Sequence, residues 1–194
     1  EMASVGAKVL QTRSVELAMK EGVRVQVLSS FEEGLGSDLP GTLIVNEDEM
    51  MEQEIVTGVT YSRDEAKVTF RNLPDVPGVA AKVFGPLADA AINVDMIVQN
   101  VSPDSKSTDL TFTIGKADLP RALEVLKQPS KELQGAVVQS SSGVAKISVI
   151  GIGMKSHAGV AQKMFKTLAD KGINIQVIST SEIKVSVLIS DEYG

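Results

Sequence analysis

The stretch best equipped for chemistry is Pro74-Asp75-Val76-Pro77-Gly78-Val79-Ala80, which joins an alternating apolar run to an amphipathic one. A proline near the first helical position has its φ preset and gives up a donor the helix would not use. The amides of Gly78, Val79 and Ala80 are then free to face a small anion, helped by the helix dipole. Gly78 lets a ligand approach the backbone closely. Each residue also has a plain structural role: Gly78 eases loop packing, and Asp75 favours a helix N-terminus.

Much of this stretch is written twice. Gly78, Ala80, Phe84, Leu87, Ala88, Asp89, Ile92 and Asn93 recur as Gly159, Ala161, Phe165, Leu168, Ala169, Asp170, Ile173 and Asn174, at a constant offset of 81 positions. In each copy an alternating run ends in a Gly-bearing loop, an amphipathic helix follows, and the chain returns through Ile-Asn into β-rich sequence.

In the first copy the pattern predicts a strand over 66–73, a helix over 76–91 weakened by Pro86, a strand over 93–101 and its hairpin partner over 110–114. A second helix over 118–126, with Asp118 as N-cap, and a strand over 136–139 complete it. A link over 140–143 leads to the second copy: strand 146–152, loop 153–157, helix 158–171, and strands 173–179 and 183–189. By the logic of the repeat, this copy still needs one helix and one strand. The orphan strand over 55–60, which enters the first copy through a turn at 63–65, is the candidate for the empty strand place.

The fold class expected is therefore α+β, two ferredoxin-like βαββαβ units in tandem. Ahead of them, residues 1–20 read as a helix, with strands over 23–28 and 42–45 and an acidic linker over 46–54. The divisions are 1–48, a block too small to stand alone; 49–65, linker and completing strand; 66–140, the first unit; and 141–194, the second.

Composition excludes several classes. Zero cysteines rule out disulfides, thiolate metal sites and cysteine nucleophiles, and fit a reducing cytoplasm. The one histidine, His157, has no second His and no acidic cluster beside it, so it reads as a solvated loop residue; no metal site is expected. The net charge of −6 argues against nucleic acid. Residues 1–65 hold 13 of the 25 acidic side chains and 5 of the 19 basic ones, so the repeated part is nearly neutral. No apolar stretch is long enough for a bilayer, and no secretory signal opens the chain, so no membrane partner is expected. Gly151-Ile152-Gly153 would need Gly at 156 for a dinucleotide fingerprint, and Met154-Lys155-Ser156 lacks the glycine of a phosphate loop.

Taken together, GAKVLQTRSVELA (6–18), DEAKVTF (64–70), PDVPGVAAKVF (74–84), INVDMIVQNVS (92–102), TDLTFT (108–113), GMKSHAGVAQKMF (153–165) and INIQVISTSEIKVSVLI (173–189) resemble the C-terminal part of aspartate kinases, including their pair of ACT domains. The resemblance implies a cytoplasmic enzyme that phosphorylates the side-chain carboxylate of L-aspartate with ATP and Mg²⁺, opening the route to lysine, threonine and methionine. The family's KYGGTS-like nucleotide motif is absent, so the resemblance implies that this chain is the C-terminal end of an amino-acid-kinase domain, a helix and strand remnant over 1–48, plus the regulatory region, with no catalytic residue of its own and no cofactor. Only Lys8, in the GAK segment, would lie near a nucleotide.

The resemblance also names effector positions. Asp75, Gly78, Val79 and Ala80, with Gln99, resemble half of a pocket that binds threonine in many members. Asn174 and Ile175 resemble the other half, presented across a homodimer of ACT units that can build into larger assemblies. Ser102 and Thr111 resemble positions where feedback control is lost, and Met154, Lys155, Ser156 and His157 resemble a loop that binds lysine in some members. The implied partners are L-threonine, L-lysine, and a kinase domain or catalytic subunit. Gln99 and Asn174 have a structural alternative, satisfying exposed sheet edges. Three rivals share the fold. An RNA-binding sheet would carry stacking aromatics, whereas these central strands read NVDMIVQNV and DLTFTIG. A metal-carrying one would show C-x-x-C, which a chain without cysteine cannot hold. The third is a non-catalytic amino-acid sensor, either a separately made regulatory subunit of the kinase or the control domain of a kinase fused to another enzyme.

Overall fold

The computed structural model describes residues 10–31, 41–44, 56–103, 106–133, 135–151 and 159–193. Near the N-terminus, α1 (Thr12–Lys20) buries none of its residues, and β1 (Val25–Val27) pairs antiparallel with β2 (Thr42–Ile44).

The rest of the described residues form one six-stranded sheet with helices. In chain order it comprises β3 (Gly58–Pro74), α2 (Val79–Asp89), β4 (Val94–Val101), β5 (Ser107–Gly115), α3 (Leu119–Val125), α4 (Lys127–Glu132), β6 (Val137–Ile150), α5 (Gly159–Asp170), β7 (Val177–Thr180) and β8 (Lys184–Ser190). The strand order is β4-β5-β3-β6-β8-β7, with every neighbouring pair antiparallel.

Two long strands explain this order. The C-terminal half of β3 pairs with β5 on one side and with Val137–Val144 on the other; its N-terminal residues Gly58–Ser62 pair with Lys146–Ile150. Read from either edge, the order is then β4-β5-β3-β6 or β7-β8-β6-β3, the same ferredoxin-like arrangement twice. The orphan strand thus lies in the fourth place of the second unit, although it stands before the first unit in sequence.

Several local expectations need correction. The turn expected at 63–65 and the link expected at 140–143 are both strand interior. Lys67 stands opposite Ser141 and Val68 opposite Ser140, so backbone pairing carries the polar run through, and the irregularity at 63–65 is a register shift within β3. A Ser- and Gly-rich composition reported exposure there and not chain reversal. The helix expected from 76 starts at Val79, because Gly78 at φ 91° lies outside the helical region. It runs through Pro86. Asp118 makes no side-chain capping bond; its carboxylate accepts from Arg121 at 3.0 Å. In the second unit, strand pairing starts at Val177 rather than at 173, and Ile173 and Ile175 pack against the core under α5.

Three apolar clusters hold the sheet together. Under α2 and α3, Val68, Phe70, Leu110 and Phe112 of the sheet meet Val83, Leu87 and Ala122. Phe84 meets Phe112 edge to face at 5.2 Å. Under α5, Ala145, Val149, Val185, Val187 and Ile189 meet Met164 and Leu168. The third cluster joins the units: Met96, with Val98 beside it, packs on Val144, Val177 and Leu188, all on the sheet face away from the helices.

Candidate functional site

Residues 75–78 connect β3 to α2 at one end of the first unit. The loop is tied to its neighbour by one backbone bond, Asp75 N–H to the Lys106 carbonyl at 3.2 Å, and closed locally by Val76 N–H to the Pro74 carbonyl at 3.0 Å. Val79 is buried in the core and anchors the first turn, while Asp75, Gly78 and Ala80 are exposed. Val79 N–H reaches the Val76 carbonyl only at 3.4 Å. Among the described residues no backbone carbonyl takes the amides of Gly78 or Ala80, so this helix start keeps its donors for solvent or a ligand.

Gln99 of β4 stands opposite Leu110, which in turn stands opposite Phe70. Leu110 and Phe70 lie in the cluster under α2, so register puts the exposed Gln99 side chain on the helix side of the sheet. Ser102 lies at the same end: its N–H donates to the Ser107 carbonyl at 2.8 Å, its Oγ accepts from Ser107 Oγ at 2.9 Å, and Ser107 stands opposite Pro74. The structure therefore gathers Asp75, Gly78, Val79, Ala80, Gln99 and Ser102 at one end of one unit.

The other expected positions fall elsewhere. Thr111 sits on the far side of the sheet, where its hydroxyl and that of Thr69 lie 3.1 Å apart. Asn174 is exposed, Ile175 packs toward α5, and among the described residues no bond joins either to the 75–80 loop. Lys8, Met154, Lys155, Ser156 and His157 lie outside the described residues.

The polar feature that sequence reasoning missed lies between the units. Lys146 of β6 pairs with Glu65 of β3, each side chain 10% exposed, and its Nζ donates to Asp95 Oδ2 of β4 at 3.0 Å. Burial alone would lower the Lys146 pKa, but the hydrogen bonds and charges of Glu65 and Asp95 outweigh it and hold the ammonium above the usual lysine value. For Asp95 burial works upward, and the Met96 amide with the charges of Lys146 and Lys184 wins, leaving its pKa below the usual carboxylate value. Beside this triad Lys67 Nζ donates to Gln176 Oε1 at 2.5 Å, and burial, then the charge of Arg71, pulls the Lys67 pKa down. The hydroxyls of Thr60 and Thr113 are buried and have no hydrogen-bond partner among the described residues. In Ala145-Lys146-Ile147-Ser148-Val149 the alternation hides Lys146, because a polar residue every second place looks solvated. Only the second sheet face, invisible in the strand itself, shows that it is covered.

Comparison with known proteins places this geometry in a family. Models described as the ACT domain match residues 68–128 and 147–194. A crystal structure of the regulatory subunit of aspartate kinase from Thermus thermophilus is 40% identical, with a TM-score of 0.68 over 72% of this chain and 91% of that one. The chain belongs to the aspartate kinase family. It corresponds to the ACT-bearing regulatory region of these kinases. Pseudomonas aeruginosa aspartokinase is 53% identical over the whole of this chain, which is 46% of the bacterial protein. The chain thus spans about half the length of the curated aspartokinases it matches. E. coli aspartokinase III, solved in complex with lysine and aspartate in its T-state, is 27% identical, with a TM-score of 0.68 over 99% of this chain and 41% of that one.

Proposed function

We propose that this chain senses end-product amino acids for an aspartate kinase and feeds their level back onto the kinase reaction, the transfer of phosphate from ATP to the side-chain carboxylate of L-aspartate. The observation that carries the reading is the helix start, where the amides of Gly78 and Ala80 meet no backbone carbonyl among the described residues, at the end of the unit to which the exposed Asp75 and the strand carrying the exposed Gln99 also lead. A free α-amino acid presents a carboxylate, an ammonium and a side chain within a few ångströms. The amides take its carboxylate, Asp75 takes its ammonium, and Gln99 bonds a side-chain hydroxyl. Threonine fits that set. Lysine is the second effector, and the lysine-bound E. coli relative supports that class of ligand.

Asn174 and Ile175 then complete the pocket from a second copy, in a homodimer or a larger assembly of ACT units, inside the cytoplasm. Ser102, joined to Ser107 beside the loop, tunes the pocket wall. Thr111, on the far face, acts through packing. The Mg²⁺-ATP chemistry that the family implies, with Lys8 near its edge, belongs to the kinase portion. No described helix is long and apolar enough to cross a membrane.

Effector binding favours one arrangement of the ACT units and so biases the attached kinase toward its inactive state. The test is a full-length kinase carrying Asp75→Ala or Gln99→Ala. Inhibition by threonine or lysine disappears while uninhibited turnover is kept. Turnover lost with inhibition intact sinks the reading. A second reading, a separately made regulatory subunit, draws on the 91% coverage of the Thermus thermophilus protein. The matches that extend across residues 10–31 to the longer kinases favour the first.

A further inference from the structure

Strand β4 does not run evenly along β5. Asp95 stands opposite Thr113 and Val98 opposite Thr111, so Met96 and Ile97 share the single place opposite Phe112. That is a one-residue bulge. Side chains alternate along a strand, so a bulge decides which face every later residue takes. With it, Gln99 stands opposite Leu110, on the side of α2. Without it, even pairing from Asp95 onward would set Gln99 opposite Asp109 and turn it to the other face.

The bulge carries strain and is held from outside its own unit. Met96 has φ 46°, a region that residues with side chains avoid. Its N–H donates to Asp95 Oδ1 at 2.8 Å. The residue is 3% exposed, and its side chain packs on Val144, Val177 and Leu188, all from strands of the second unit. The second oxygen of Asp95 takes the Lys146 ammonium, and Lys146 is itself fixed by Glu65 at the junction of the two halves of β3.

We infer that the second unit sets the register of the first unit's effector strand, with Asp95, Met96 and Lys146 acting as positioning residues for Gln99. The functional meaning of this rests on the reading of Gln99 as ligand-facing. An amino acid that bonds Gln99 favours the bulged register and so tightens the contact between units. Anything that loosens that contact weakens binding in return, because such coupling is reciprocal.

The register can be read directly, without ligand, from cross-strand nuclear Overhauser contacts in the 194-residue chain. Wild type and Lys146→Arg, which keeps the charge, give Gln99–Leu110 contacts. The charge-balanced double variant Glu65→Gln/Lys146→Met weakens them and brings in Gln99–Asp109 contacts, and its threonine affinity in calorimetry falls on the order of tenfold. A folded double variant that keeps only Gln99–Leu110 contacts overturns the inference. Should that variant fail to fold, Asp95→Asn makes the same comparison, since its side chain is 53% exposed. A register that moves in a protein whose wild type binds neither threonine nor lysine keeps the positioning role and removes the effector reading. Wild-type binding with an unmoved register does the reverse.

Discussion

Nζ of Lys146 lies 3.0 Å from Oδ2 of Asp95, and this bond ties a central strand of the second ACT unit to the edge strand of the first. Asp95 is four residues from Gln99, and Lys146 belongs to the strand that both units share. The contact between units and the candidate effector site are therefore parts of one strand system.

The first prediction concerns the cost of breaking this system. Lys146→Met leaves Glu65 buried with no counter-charge, a situation that costs about 3–5 kcal/mol. Glu65→Gln/Lys146→Met removes both charges and should recover most of that loss. Chemical denaturation of the single and double variants checks it. A single variant as stable as the double would show that Glu65 finds other solvation.

The pH dependence follows from the same groups. Lys146 titrates above the usual lysine value in the fold, so its contribution is full below the unfolded pKa and is lost as pH rises through the folded one. Asp95 titrates below the usual aspartate value, so its contribution is present above the unfolded pKa and is lost as pH falls through the folded one. The thermal midpoint should decline at both extremes, and Asp95→Asn should flatten part of the acid limb. An acid limb unchanged in Asp95→Asn would contradict the assignment.

The repeat makes a third prediction, because equivalent glycines are not equivalent in conformation. Gly78 has φ 91° with open space where a Cβ would stand, so Gly78→Ala meets strain and no clash, a loss of about 1–2 kcal/mol. Gly159, the first residue of α5, is not among the positive-φ glycines, and its Cβ would meet no atom of the described residues within 4 Å. Gly159→Ala should be neutral or stabilising by up to about 1 kcal/mol. Thermal unfolding of the two variants separates them, and equal losses would refute the distinction.

A fourth prediction tests the core under α2. Phe112 is fully buried and meets Phe84 edge to face, so Phe112→Ala should cost about 3–5 kcal/mol. Phe31, 96% exposed, should cost little when replaced by Ala, and denaturant midpoints give both values.

These predictions draw unequally on what the sequence discloses. The repeat made both units and the loop at Gly78 legible, because helix periodicity and a glycine before it recur at a fixed offset. The sharing of β3 and β6 was half legible. An orphan strand and an empty place could be matched, but Ser140-Ser141-Ser142-Gly143 reads as a loop until its pairing with β3 is seen. The face taken by Gln99 was not legible at all. It depends on a bulge at Met96, and that bulge depends on Val144, Val177, Leu188 and Lys146, 48 to 92 positions further on in the chain. For Thr111 the motif was legible but its side of the sheet was not, since that too needs register.

The most direct test of the effector assignment is a calorimetric titration of this chain with L-threonine, then L-lysine, each alone and with the other present. Saturable threonine binding is expected, abolished by Asp75→Ala and Gln99→Ala and left in place by Thr111→Val, on the opposite face. Binding that survives both Asp75→Ala and Gln99→Ala, or no binding of either amino acid to a folded dimer, would contradict it.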